Sequence, residues 1–328
     1  MELTIDNAIL HILDTGATLP VFSTEELELN EKIYEYILKH IDRLFEDQSV
    51  KTGKFIESSK VKEMILAFED FIAGSTQLAD HMFKLMIRYG EIPDGDLLVA
   101  KFTLEDDSFL VILKFNYKEG YTHYVDYGER GTHNKIVVNR VMLPEGQRNV
   151  EGALINLKDL SIRVLEKEYN IEGEKMPYFS ELFLECNTDL SIKESIRVMS
   201  KVAKDLTKIY YDEDFEKVSQ IKEVIYEDMD DGVIQLEEVA EKIFDSHPQV
   251  RMEYMEKLQE AGVREVIHLE GREPEKKLGV HKFKIDNGIK LDIPVEIYRN
   301  KDIVEFINNP DGTISIMIKN ISEIKQGN

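Results

Sequence analysis

Between Asp96 and Leu165 the chain passes through one apolar, β-branched segment after another, with no helix-spaced segment between them. Residues 96–104 and 108–115 are joined by Glu105-Asp106-Asp107, which reads as a hairpin turn. Tyr121–Tyr127 and Lys135–Leu143 follow, separated by Gly128-Glu-Arg-Gly131, and then Ala153–Leu157 and Leu160–Leu165. Parallel neighbours need a long crossover, whereas strands joined by short turns pair antiparallel. This succession predicts an antiparallel sheet and argues against a doubly wound parallel one.

The flanking segments supply helices. The opening Leu3–Leu13 has strand character, although Ile9–Leu13 would also suit a buried helical turn. Ser23 and Thr24 ahead of Glu25 and Glu26 predict a helix start, continued by Ile33, Ile37, Leu38, Ile41, Leu44 and Phe45 at helical spacing. Lys51-Thr-Gly-Lys54 reads as a turn. Helices are expected from Lys60 to about Ala73 and from Thr76 to Tyr89, with Gly74-Ser75-Thr76 read as a cap. From Ser191 the period becomes helical again: Ile192, Ile196, Met199, Val202 and Leu206, then Phe215–Tyr226, Gln235–Phe244 and Pro248–Ala261. The tail returns to alternation at His281–Ile285, Ile289–Ile293 and Ile314–Ile318, punctuated by Asn287-Gly288 and Asp311-Gly312. The expected fold class is α+β: an antiparallel sheet with N-terminal helices, then a helical segment and a small C-terminal β region. The expected domains are 1–188 and 189–328.

Charge and cysteine usage bound the function. The 328 residues carry 64 acids and 41 bases, a net charge of −23, which repels DNA on average. The distribution is uneven. Asp205–Glu260 holds 17 acids against 6 bases, while Arg130–Arg148 holds four bases (Arg130, Lys135, Arg140, Arg148) against Glu145. Cys186 is the single cysteine, so no internal disulfide forms and a reducing cytoplasm is the expected compartment. The start has no basic signal-peptide region, and no apolar run reaches the ~20 residues of a membrane span.

Sites for common chemistry do not appear in the sequence. There is no phosphate-binding glycine loop, no C-x-x-C or H-E-x-x-H, and no G-x-S-x-G elbow. Glu227–Glu238 imitates a calcium loop, with Gly232 sixth, Ile234 eighth and Glu238 twelfth. Its third position is Met229, which offers calcium no oxygen, so an acidic connection between helices is the better reading. A nuclease would need carboxylates converging on a metal. Asp94, Asp96, Asp106 and Asp107 are the acids such a reading would use, but they fall in expected turns, where solvated charge is the ordinary explanation. Neither catalytic residues, nor metal ligands, nor a cofactor are expected.

The candidate nucleic-acid contacts are the cations Arg130, Lys135, Arg140 and Arg148, together with His133 and Tyr124. His123, His133 and the tyrosines 117, 121, 124 and 127 could offer stacking surfaces to bases. Tyrosines also suit the half-buried face of a sheet, and basic clusters are often plain solvated surface.

Several segments resemble the bacterial 37-kDa nucleoid-associated protein family, in the same order along nearly the whole chain. They are Ile5-Asp-Asn-Ala-Ile-Leu-His11, the stretch from Leu66-Ala-Phe to Leu85, Gly95-Asp-Leu-Leu-Val-Ala to Phe115, Leu143-Pro144, Ala153–Leu165, Tyr178-Phe-Ser-Glu-Leu-Phe-Leu-Glu-Cys186 and Ile289–Ile318. The resemblance implies a cytoplasmic protein of the nucleoid that associates with DNA or with DNA-processing proteins, and it brings no catalytic residue. The expectation is a non-enzymatic protein binding DNA weakly, through its basic 130–148 region or its near-neutral tail from Arg272 to Asn328, as a homo-oligomer and possibly a dimer. The alternatives are an acidic regulator that docks its 205–260 helices on a DNA-processing protein, and a metal-dependent hydrolase or nuclease.

Overall fold

The computed structural model describes residues 3–16, 19–128, 131–141, 150–211, 215–230, 232–245, 247–269, 280–286 and 288–323. The chain divides into two units, Met1–Ser191 and Ile192–Asn328. It is a mixed α+β protein.

The first unit contains, in order, β1 (Leu3–Leu13), α1 (Glu31–Glu46), β2 (Lys51–Phe55), α2 (Lys60–Leu66), α3 (Phe71–Arg88), β3 (Gly95–Leu104), β4 (Asp107–Asn116), β5 (Lys118–Gly128), β6 (Gly131–Val141), β7 (Glu151–Asn156), β8 (Ser161–Leu165), β9 (Tyr169–Ile171), β10 (Glu174–Met176), a π-helical turn at Phe179–Leu184, and β11 (Cys186–Thr188). Seven strands form one sheet in the order β1-β3-β4-β7-β8-β2-β11, every neighbour antiparallel. The apolar runs of β3 and β4 are continuous because both sheet faces are covered. Leu97, Val99, Leu110 and Ile112 pack with α2, α3 and the π-helical turn. Leu98, Ala100, Phe102, Val111, Leu113 and Phe115 alternate to the other face, against Ile37, Ile41 and Leu44 of α1.

Three local expectations are corrected. Residues 51–54 are not a turn but part of β2, which lies between β8 and β11; a Cβ on Gly53 would come within 2.6 Å of the Asn187 carbonyl oxygen, so the glycine serves close strand approach. The first helix starts at Glu31, capped by the Asn30 side chain on Ile33 N at 3.1 Å, and not at Ser23. Ser23 is instead tied to β1, its N–H to His11 Nδ1 at 3.2 Å and its hydroxyl to the Leu10 carbonyl. Gly74-Ser75-Thr76 lies inside α3, whose cap is Asp70 on Ala73 N at 2.8 Å; Phe68 occupies the space a Gly74 side chain would need.

The second unit contains α4 (Ile192–Tyr210), α5 (Phe215–Asp230), β12 (Val233–Gln235), α6 (Leu236–Ile243), α7 (Pro248–Glu260), β13 (Val266–His268), β14 (Val280–Lys284), β15 (Lys290–Pro294), α8 (Val295–Tyr298), β16 (Val304–Asn308) and β17 (Ile314–Ile318). Tyr254 of α7 is fully buried, 5.4 Å from the Phe244 ring, and its hydroxyl donates to the Met199 carbonyl of α4. β12 pairs with β13 through Ile234 and Ile267. Two hairpins, β14–β15 and β16–β17, close the unit around Phe283, Tyr298 and Phe306, whose ring centroids lie 5.3–5.9 Å apart. Strand β16 was not expected from the sequence. Its alternation lasts only from Val304 to Phe306, because Ile307 and Asn308 reverse the expected polar and apolar places.

Candidate functional site

β5 and β6 are joined by the residues between Gly128 and Gly131 and pair, in an unbroken register, only with each other among the described residues. An isolated two-stranded hairpin is marginal in water, so a long one exposed on both faces calls for a use. In antiparallel pairing, directly opposed residues share a face. One face therefore carries Thr122 with Val137, Tyr124 with Lys135, and Asp126 with His133. The other carries Glu119 with Arg140, Tyr121 with Val138, His123 with Ile136, and Tyr127 with Thr132.

The register thus brings together three of the sequence-derived candidates, Tyr124, His133 and Lys135, and places the Arg140 position on the opposite face. Arg130 and Arg148 lie outside the described residues. Lys135 Nζ meets Asp126 Oδ2 at 2.7 Å within the same face. Such an exposed pair is worth only about 0–1 kcal/mol, so a phosphate can compete for the lysine. The opposite face is an apolar strip that takes two of the tyrosines grouped with Tyr124 in the sequence: Tyr121, Tyr127 and Ile136 are each about 80% exposed. Its signal was the period of two, which separates Tyr121 and Tyr127 from Tyr124. Tyr117 belongs to neither face, since its hydroxyl donates to Asp96 at the start of β3.

The acids of the nuclease alternative do not converge. Asp94 accepts from Thr15 N and Oγ1, and Asp96 is buried at the start of β3. Asp106 and Asp107 lie at the turn beyond its other end, roughly 30 Å away at about 3.4 Å per residue. A different polar cluster sits at the β4–β7 pair. Glu151, fully buried, accepts from Asn116 Nδ2 (2.8 Å), Tyr178 (2.8 Å) and Tyr169 (3.1 Å). Lys114, also fully buried, donates to Asn116 Oδ1 and to the Pro93 carbonyl. Burial lowers its ammonium to about 8, with Glu151, Asp94 and Asp96 opposing the drop. Burial also raises the Tyr178 hydroxyl well above its usual range.

The calcium-like loop is occupied by the protein's own cations. Lys242 Nζ contacts Asp228 Oδ1 at 2.6 Å, Arg299 Nη2 contacts Glu227 Oε1 at 2.9 Å, and Met229 is buried. Among the described residues no three His, Cys, Asp or Glu side chains are grouped to hold a metal. Burial pushes the Cys186 thiol up to about 12, which leaves it unreactive at neutral pH. Among the described residues no helix is long and apolar enough to cross a membrane.

These features define a mixed α+β protein with a projecting β arm and a core whose buried charges are paired internally. The family model described as nucleoid-associated protein YejK matches residues 9–325. That span is nearly the whole chain, and the chain belongs to this family of nucleoid-associated proteins. The membership implies the nucleoid, and so the cytoplasm, as its place of work. No curated protein matches the chain.

Proposed function

We propose that this chain is a non-enzymatic nucleoid protein that touches DNA weakly with the Tyr124, His133 and Lys135 face of its β5–β6 arm. The observation that carries the reading is the arm itself, eleven residues per strand and exposed on both faces. A two-stranded ribbon has the width to enter the major groove, where Lys135 can reach phosphate and the Tyr124 ring can lie against a base edge or sugar. Arg130 and Arg148 are the further phosphate contacts of this reading; position 140 falls on the opposite face of the arm and is not one of them. The overall charge of −23 keeps the binding weak at physiological salt.

The apolar face of the same arm is the surface for a second copy. Tyr121, Tyr127, Ile136 and Val138 offer roughly 500 Å² per protomer, taking about 150–250 Å² for a whole aromatic side chain. That falls below the ~800 Å² per partner of a stable interface, so the dimer is reversible.

The test is a fluorescence-anisotropy titration of duplex DNA across salt. With Arg130, Lys135 and Arg148 in contact, log K against log salt should have a slope of about −3. The variant Lys135→Glu should lose most of the binding. If that variant binds as wild type does, the arm is not the DNA surface. If wild type shows no binding even at low salt, direct contact is wrong and association through DNA-processing proteins takes its place.

A further inference from the structure

The second unit holds a helix–strand–helix–turn–helix–strand succession: α5, β12, α6, the connection 244–247, α7 and β13. In a DNA-reading helix-turn-helix the second helix of the pair enters the major groove. Here that helix is α7, whose solvent side carries Met252, Glu253, Glu256 and Glu260 against Arg251 and Lys257. This balance is wrong for phosphate. A cavity of about 560 Å³ opens beside it, with Met252, Met255 and Val266 as its apolar part and Glu237, Glu256 and Glu265 among the groups around it. Met252 is 64% exposed and Val266 40%. The three glutamates make no salt bridge among the described residues, while Arg251, the one cation lining the cavity among the described residues, is countered by Glu241 at 3.5 Å.

We infer that this groove is a docking site for a basic amphipathic helix of a partner protein, with an apolar seam flanked by Lys and Arg. The apolar part of the groove comes chiefly from α7, where Met252 and Met255 stand three residues apart, so an occupant meets it best with knobs at helical spacing. Methionine adapts its shape to whatever apolar seam arrives. The carboxylates of Glu237, Glu256 and Glu265 then meet the partner's flanking cations and exclude an acidic helix. The inference goes beyond the DNA reading of the arm, because arm and groove lie in different units.

The test uses the full chain and three labelled synthetic 18-residue peptides. One is a Leu/Lys/Arg helix with its leucines on one face, the second a scramble of the same composition, and the third carries Glu in place of Lys and Arg. The amphipathic basic peptide should bind at least tenfold more tightly than either control. Met252→Asp should weaken it about tenfold, and Glu256→Lys/Glu265→Lys should weaken it and bring the acidic peptide up. All these side chains are exposed or at the rim, and an unchanged melting curve confirms that each variant is folded. Equal binding of the scramble would mean that general charge attraction alone is at work, and would overturn the proposal. Indifference to Met252→Asp, or no peptide binding, would do the same. If Met252→Asp instead abolished binding of a DNA duplex, the unit would be a DNA reader and the proposal would fall.

Discussion

Lys114 and Glu151 lie directly opposite one another on the adjacent strands β4 and β7, both fully shielded from solvent and linked through the Asn116 side chain. Removing one partner of a buried charged pair leaves the other uncompensated, at a cost of about 3–5 kcal/mol. Lys114→Met should therefore lower the urea midpoint sharply while leaving the urea dependence unchanged. The pH response follows from the lowered ammonium. Below about 8 both folded and unfolded Lys114 are charged, and the desolvation cost is fully present. Between about 8 and the usual 10.5 the folded state has released a proton that the unfolded state keeps, so this group's contribution rises with pH. The gap between wild type and Lys114→Met should widen over that window, by up to about 3 kcal/mol. A gap that closes instead would mean Lys114 is not held in this way.

His11 gives the acid side. Ser23 N donates to its Nδ1, so Nε2 carries the proton and donates to Ser75 Oγ at 3.1 Å, while that hydroxyl donates to the Ile72 carbonyl. Burial holds the imidazole at about 4, against an ordinary 6.5. As pH falls from 6.5 to 4 the unfolded chain takes up a proton that the folded chain refuses, so stability drops across that window and is flat above it. The ceiling is about 3 kcal/mol. His11→Phe should cost roughly 1–3 kcal/mol at pH 7 by orphaning Ser23 N and Ser75, and should flatten the acid slope. Melting curves from pH 4 to 8 for both proteins decide the matter.

Much of this architecture was legible because the signals were periodic. The paired runs of β3, β4, β7 and β8, the amphipathic α1 and α4, and the return to strands after residue 280 all announce themselves by spacing. The exceptions have physical causes. β2 is five residues with a glycine at its centre, which reads as a turn until a neighbour is present to need that glycine. The start of α1 was misplaced because Ser23 resembles a cap while its hydrogen bonds go to β1. The Lys114–Glu151 pair was invisible because register, not residue type, creates it. For the candidate site, sequence could collect Tyr124, His133, Lys135 and Arg140 but could not say that the register would place position 140 on the other face.

Calcium offers a clean check on the loop at 227–238. With Met229 buried, Lys242 on Asp228 and Arg299 on Glu227, a cation would have to displace both internal partners. Millimolar calcium should leave the melting temperature unchanged. An upward shift that Glu238→Gln abolishes would show that these partners yield to the metal.

Limited proteolysis tests whether the first unit folds by itself. If it does, early cuts should fall after β11, from about Asp189 to shortly beyond Ser191, and release a fragment that keeps the seven-stranded sheet. Fragments ending inside Leu97–Phe115 would show that the sheet is not protected as a unit.

The arm can be removed without touching the sheet. β4 and β7 pair from Phe109 with Asn156 to Lys114 with Glu151, so the chain ends flanking the arm are already close. None of the core residues on either face of the sheet comes from 118–141. Replacing residues 119–140 by a short Gly- and Asn-containing turn between the paired positions 118 and 141 should leave the melting curve close to that of wild type. The same deletion should abolish DNA binding at low salt and shift the sedimentation of concentrated samples to the monomer. Single changes then divide the two faces. Ile136→Lys should disrupt self-association and spare DNA binding, whereas Lys135→Glu should do the reverse. If Ile136→Lys and Lys135→Glu impair both properties equally, the two faces do not act separately and DNA is bound only by the dimer.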